Sequence, residues 1–386
     1  MKIYLVFLPF YCLMLTVLSA CNNCNINNES IQTFVFDASH VGKSFDFSEI
    51  TDTNYLIIAL ETSEDFLIGE VDKIELKNNK IIIFDSMSRA VYLFNMDGTR
   101  HNRIFNPGRG PGEYMEISSM GASDSVIIIF DNMLRKLMEF DYNGILIREA
   151  ALSSDIWAND IFFFNDNLYL HVHWGEEEWG NSRLYLLDDI VNQNYRYYLP
   201  FDKIPLAIGN KGPSYSVCNE NSSLIYSGCD TVFSILSDGN VIPRYVFDFK
   251  GRRAMYPSGR IELIFEENED DRITNIEWIS ETDRFLFAEI GAVRDVYFFI
   301  YDKNRKRGNF YELFNNLNIS RYFPFHPRRL SGNQVVLTES MFNMQHLVTV
   351  IKDDCKLEGF YDKTKSIVDN GKLEDNPVVF IFNLKN

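Results

Sequence analysis

The chain has 386 residues, 15% of them aromatic, and 54 acidic against 37 basic side chains give it a net charge of −17. That length exceeds what one ordinary core supports, so it requires either two domains or a fold built from repeats. The acidity argues against a dense cationic face and so excludes nucleic acid as a partner, and six cysteines are too few for a disulfide scaffold.

Residues 3–19 are apolar and follow Lys2. A charged start with a hydrophobic middle is the pattern of a secretory signal, and the run is short for a membrane span of about 20 residues. It closes with Leu18-Ser19-Ala20-Cys21, which resembles the lipobox of bacterial lipoproteins. The resemblance implies cleavage after residue 20 and a lipid on Cys21, several acyl chains being enough for stable anchoring. Residues 21–30, rich in Asn, read as a polar tether. Residues 31–386 remain as a single folded domain. The expected location is the cell envelope, with the membrane as a partner through the lipid anchor. The outer membrane is the expected site, and the side it faces is open.

An internal repeat sets the fold class. Lys80-Ile-Ile-Ile-Phe-Asp85 and Val91–Gly98 recur as Val126-Ile-Ile-Ile-Phe-Asp131 and Leu137–Gly144. Each unit reads as a strand, a polar turn, a second strand, then an Asp-Gly or Asn-Gly turn suited to a tight hairpin. Outer strands are expected at Thr99–Phe105 and Ile145–Ala151, and earlier ones at Val71–Lys77 and Glu116–Met120. Four strands per unit, at a period of about 46 residues, is the pattern of propeller blades. The inner strands are apolar on both faces, as blades packed between neighbours require.

Later units follow at Asn167–Val172 with Arg183–Leu187, at Leu224–Tyr226 with Thr231–Leu236, at Arg284–Ile290 with Val296–Tyr301, and at Gln334–Leu337 with Val378–Asn383. The expectation is an all-β, six-bladed β-propeller, with five blades as the alternative count. Ile31–Phe36 lies ahead of the first blade and is expected to close the ring by pairing with the last one. Two insertions interrupt the blades: residues 253–271, with the acidic run Glu266–Asp271, and residues 339–369. In the latter, Met344, Leu347, Val348 and Ile351 follow helical spacing.

Three stretches carry a family resemblance: Gly108–Tyr114, Asp230–Phe233 running on to Pro243–Phe249, and Asp375–Ile381. With these the chain resembles the six-bladed β-propeller lipoproteins of Bacteroidetes, related in shape to NHL and TolB-like propellers. The resemblance covers essentially the mature chain and implies a fold, with no shared activity attached to it.

Two segments gather polar and aromatic side chains beside irregular turns. Gly108-Arg109-Gly110-Pro111-Gly112-Glu113-Tyr114 lacks the following helix and the Gly-Lys-Ser/Thr of a phosphate loop, so it reads as an inter-blade turn that can present Arg109 and Glu113. His171 and His173 alternate in a strand and share a face, with Trp174 next. Such a pair could hold zinc given a carboxylate, but a polar strand end leading into a loop explains it as well, so no metal and no cofactor is assigned. Arg109, Glu113, Tyr114, His171, His173 and Trp174 are the expected ligand contacts. Cys218 and Cys229 are close enough in sequence to pair, and buried free thiols are an equal reading. No nucleophile signature is present. The expected function is a non-catalytic binding or scaffold module for a glycan, small molecule or protein partner. A net negative charge favours neutral or cationic ligands. The alternative is a metal-assisted, calcium-type hydrolase or lactonase working in the central channel.

Overall fold

The computed structural model describes residues 31–385 except 44, 46–48, 154–155, 157, 173–181, 190–193, 201–212, 227, 252–271, 294, 313–329 and 353–356. Two strands come first, β1 (Gln32–Val35) and β2 (Thr51–Ala59). The first blade holds β3 (Lys73–Lys77), β4 (Lys80–Asp85), β5 (Ala90–Asn95) and β6 (Arg100–Ile104). The second holds β7 (Ser119–Ala122), β8 (Ile127–Asp131), β9 (Lys136–Phe140) and β10 (Leu146–Ala151). The third runs from β11 (Asp160–Phe164) through β12 (Asn167–His171) and β13 (Ser182–Asp189) to β14 (Asn194–Pro200). The fourth has β15 (Tyr215–Cys218), β16 (Asn221–Leu224), β17 (Thr231–Ile235) and β18 (Val241–Asp248). The fifth has β19 (Ile273–Glu281), β20 (Phe285–Ala292), β21 (Val296–Asp302) and β22 (Arg307–Glu312). The sixth comprises β23 (Leu330–Ser331), β24 (Gln334–Glu339) and β25 (Val378–Leu384).

Six sheets result, and the fold is a six-bladed propeller. First strands of neighbouring blades touch one another, so they line the axis. The chain enters every first strand at one end of the ring, here the entry face. The hairpins that join first to second strands lie at the other end, the hairpin face.

Packing explains why the strands are apolar on both sides. Ile82, Phe84, Val91 and Leu93 of the first blade interlock with Ile127, Ile129 and Met138 of the second. Ile81, Ile83, Tyr92 and Phe94 face the sixth blade, against Val336, Val379 and Ile381. Each blade is thus buried on two faces, which burial of roughly 25 cal/mol per Å² rewards with a long run of Ile, Val and Phe.

The repeated Asp is a clamp. Asp85 is fully buried and accepts the N–H of Ser88 at 3.1 Å, closing its own turn, and that of Gly69 at 2.6 Å on the incoming loop. Asp131 does the same with Leu134 at 2.8 Å and Met115 at 2.7 Å. This clamp corrects the expected strand at Glu116–Met120. The Met115 and Glu116 N–H groups are turned to the Asp131 carboxylate rather than to a neighbouring strand, so the strand begins only at Ser119.

The ring closes differently from the expectation for Ile31–Phe36. Gln32–Val35 runs parallel to Val241–Asp248 as a fifth strand on the fourth blade. Its position is fixed by Phe34, whose ring lies among Tyr245, Phe247, Phe299 and Tyr301 between the fourth and fifth blades. From there the chain crosses the fifth blade, where Gly42 exchanges backbone hydrogen bonds with Phe310 and Glu312 at 2.8 Å each. Closure falls to Thr51–Ala59, which pairs antiparallel with Val378–Leu384 as the outer strand of the sixth blade.

The insertion after Glu339 is helical as expected, with α1 (Met341–Ile351) and α2 (Phe360–Asn370). Ser340 caps the first by accepting the Asn343 N–H at 3.2 Å. Met341, Met344, Leu347 and Ile351 are buried against the fifth and sixth blades, and Val348 is half-buried. Residues 253–271 lie outside the described residues. Cys218 and Cys229 are both free thiols, while Cys12, Cys21, Cys24 and Cys355 lie outside the described residues. Among the described residues, no helix is long and apolar enough to cross a membrane.

Candidate functional site

The glycine-rich segment lies on the entry face, over the interface of the first two blades. Arg109 is exposed, with Nε 3.3 Å from the Met115 sulfur. The Glu113 carboxylate folds back to accept the Gly110 N–H at 2.8 Å. A Cβ on residue 108 would sit 1.9 Å from Glu113 Oε2, so any larger residue there requires the Glu113 side chain to move. Gly112 has φ +72° and donates its N–H to Glu149 at 2.7 Å. Tyr114 is fully buried. Its hydroxyl donates to the Arg89 carbonyl at 2.9 Å, and burial pushes its pKa up to about 12.

His171 ends the second strand of the third blade, opposite Asp160 at the start of the first strand, so it shares the entry face with Arg109. It does not share a blade interface with it. The His171 ring is fully buried between the third and fourth blades, 4.9 Å from the ring of Tyr226, with Nδ1 3.2 Å from Ser214 Oγ. His173 and Trp174 lie outside the described residues.

What the fold does bring together is a set of residues from the innermost strands. Lys73, Ser119, Asp160 and Tyr215 each begin the first strand of one of four successive blades. Lys73 Nζ lies 2.9 Å from Asp160 Oδ1, donates to the Ile161 carbonyl at 2.8 Å, and stands 5.1 Å from the centre of the Tyr215 ring. The Ser119 hydroxyl donates to the same Asp160 oxygen. The Lys73 side chain is 6% exposed and that of Asp160 24%. These groups form a polar plug at the entry end of the axis.

Beyond the plug, towards the hairpin face, is a cavity of about 470 Å³ to which all six blades contribute. Tyr215 and Phe162 form its floor, with ring centres 4.2 Å apart and planes 16° from parallel. Its walls carry Glu75, Lys77, Asp124, Asp166, Ser216 and Asn219. Lys77 Nζ is 3.7 Å from Asp124 Oδ1, with both side chains well exposed to water. The carboxylates are felt nearby: burial first, then the charges of Asp124 and Glu75, raise the pKa of the Tyr142 hydroxyl. Among the described residues, no group of three His, Cys, Asp or Glu side chains is placed to hold a metal ion.

The sequence reading did not single out these channel residues. The signal available was the polar hairpin after each first strand, such as Asn78-Asn79 and Asn165-Asp166, where all four residues have positive φ. Such turns mark where a first strand ends and hence where the channel mouth lies.

A family model described as a domain of unknown function (DUF4934) matches residues 32–383, and the chain belongs to that family. No curated protein matches. Among solved structures, the chain is similar to a protein of Bacteroides fragilis described as exported, at 18% identity and a TM-score of 0.71. That match covers 92% of this chain and all of the other. A DUF4221 family member from Bacteroides vulgatus is 14% identical with a TM-score of 0.46, over 87% of this chain and 98% of the other. Virginiamycin B lyase from Staphylococcus aureus is 12% identical with a TM-score of 0.43, over 74% of this chain and 80% of the other. At these identities the likeness is one of fold.

Proposed function

We propose that this DUF4934 propeller is an envelope lipoprotein of the NHL and TolB-like kind, held to the outer membrane by a lipid on Cys21. In this reading residues 31–386 form one non-catalytic binding module. Its ligand, a small polar molecule or a short glycan, enters the axial cavity from the hairpin face. The observation that carries the reading is the cavity itself: all six blades line a volume of about 470 Å³, within the usual range for small-molecule sites. A rigid repeat scaffold that presents loop residues around a concavity is a common binding design. On the entry face, Arg109 and Glu113 are candidates for a second contact, towards a protein partner, and His173 and Trp174, which follow His171 in sequence, are candidates for the same contact. Tyr114 and His171 would support that surface from below.

The test is a thermal-shift screen of the purified chain against polar metabolites and saccharides, run beside Val217→Trp. Val217 is half-buried and lines the cavity, so an indole there fills it. Ligands that stabilise the parent and leave the blocked variant unmoved are expected. Ligands that stabilise both equally, but lose their effect in Arg109→Ala, would move the site to the entry face.

A further inference from the structure

We infer that the axial cavity takes a neutral saccharide, held by the third blade with one sugar ring on Phe163, a conclusion that rests on the cavity being the binding site. Elimination is the first argument. Most polar groups that line the cavity are already engaged inside the protein. Lys77 Nζ is 3.7 Å from Asp124 Oδ1, and Glu75 has an interaction of its own. The Ser123 hydroxyl accepts the Val126 N–H at 3.1 Å, and the Ser216 hydroxyl accepts the Glu281 N–H at 2.8 Å. The Asn219 amide donates to Asp283 at 2.7 Å. Among the described residues, no hydrogen bond or ion pair engages the side chains of Asn165 and Asp166, which also line the cavity. Hydrogen bonds to a ligand therefore fall first to these two, on the third blade.

Placement is the second argument. Asn165 and Asp166 form the turn between β11 and β12, with φ of +48° and +60°, and Phe163 precedes that turn on β11 and lines the same cavity. Side chains alternate along the strand. Phe162 turns to the fourth blade and stacks on Tyr215, whereas Phe163 turns to the second. There it meets Gly121, where a Cβ would touch Phe163 Cδ2 at 3.6 Å, so the ring lies against bare backbone. Phe163 is half-buried, and among the described residues no other aromatic ring packs on it. The matching positions before the turns of the first and fourth blades hold Leu76 and Val217, so the aromatic face belongs to one side of the axis. An aromatic face is electron-rich and attracts polarised C–H groups. A carboxylate accepts from two neighbouring hydroxyls, and a primary amide both donates and accepts. An apolar ring bordered by those two groups matches a pyranose, which carries C–H groups on its face and hydroxyls around its rim. A nucleotide would instead bring phosphates to a chain of net charge −17.

The experiment is isothermal titration calorimetry of the purified chain with the methyl glycosides of glucose, galactose, mannose and N-acetylglucosamine, and with adenine as a flat probe that lacks hydroxyls. At least one glycoside is expected to bind at least about tenfold more tightly than adenine. That glycoside should weaken about tenfold in Phe163→Leu and in Asp166→Asn, and hold its affinity in Phe163→Tyr, which keeps the aromatic face. Asn adopts the left-handed region readily, so Asp166→Asn preserves the turn and its loss of binding is not a loss of folding. Equal or tighter binding of adenine overturns the saccharide assignment while leaving the cavity as the site. Absence of binding by all four glycosides overturns it as well. A glycoside whose affinity survives both Phe163→Leu and Asp166→Asn, yet falls in Val217→Trp, overturns the role of the third blade. Glycoside binding that persists in Val217→Trp would instead show that the cavity is not the site.

Discussion

Lys73 reaches past the second blade to Asp160 on the third, with Nζ and Oδ1 2.9 Å apart across 87 positions of sequence. The pair couples alternate blades at the one point where six first strands converge. Breaking a buried ion pair is costly because the surviving charge is left without compensation. Asp160 keeps some solvent and the Ser119 hydroxyl, which softens the cost. Lys73→Met is expected to lose about 2 kcal/mol in urea unfolding, and Lys73→Met with Asp160→Asn should recover most of it. Equal losses from the single and double variants would mean that the packing of the lysine stem matters, not its charge.

The N-terminal strand is predicted to be part of the fold rather than a tail. Phe34 is 6% exposed amid four aromatic rings, so Phe34→Ala should cost about 3 kcal/mol. Deleting residues 22–30 should leave the melting temperature unchanged, and deleting residues 22–38 should lower it. An unchanged melting temperature for the longer deletion would show that the fifth strand of the fourth blade contributes nothing.

Glu339 gives a pH dependence with a definite sign. Its carboxyl is nine-tenths buried behind the first helix cap, and burial raises its pKa above the ordinary carboxylate range. A carboxyl whose folded pKa is raised favours the folded state at low pH, and that advantage is lost as pH rises through the folded value. Glu339→Gln should therefore raise stability at neutral pH and flatten the decline seen as pH climbs above about 4.3, the ordinary glutamate value. Unfolding curves at several pH values check this, and a variant less stable than its parent at pH 7 would contradict it.

Anchoring is tested at Cys21. Cys21→Ala should leave the protein unlipidated and release it from membranes. Retention of the variant in the membrane fraction after a high-pH wash would dismiss the lipid anchor.

The blades were legible because Ile81–Phe84 and Ile127–Phe130 are buried on both faces and end in the same clamping aspartate, so one physical demand is written twice. The closing strand was not. Thr51–Ala59 opens with Asp52-Thr53-Asn54, and its register shifts between Thr51 and Tyr55, which breaks the alternation that marks a strand. Ile31–Phe36 is the more strand-like of the two segments, so the pattern points to it as the closing strand. The cavity was hidden for another reason. Its walls come from first strands as short as Ser119–Ala122, too brief for any period, and the residues meet only once all six blades are in place. The glycine run stands out in the sequence because its composition is unusual. Much of that composition serves local geometry, with Glu113 folded over Gly108 and Tyr114 buried beneath.

The closing pair has a bearing on how the chain comes to be folded. Thr51–Ala59 completes its ladder only with Val378–Leu384, and Tyr55 donates to the carbonyl of Glu358, 303 positions downstream. A ribosome delivers the first of these strands long before the second exists. Throughout synthesis the sixth blade lacks its outer edge, and its early strand waits with apolar side chains uncovered. Pairing across so long a loop is slow, and an unpaired edge invites other chains. The ring therefore cannot close until the last strand emerges.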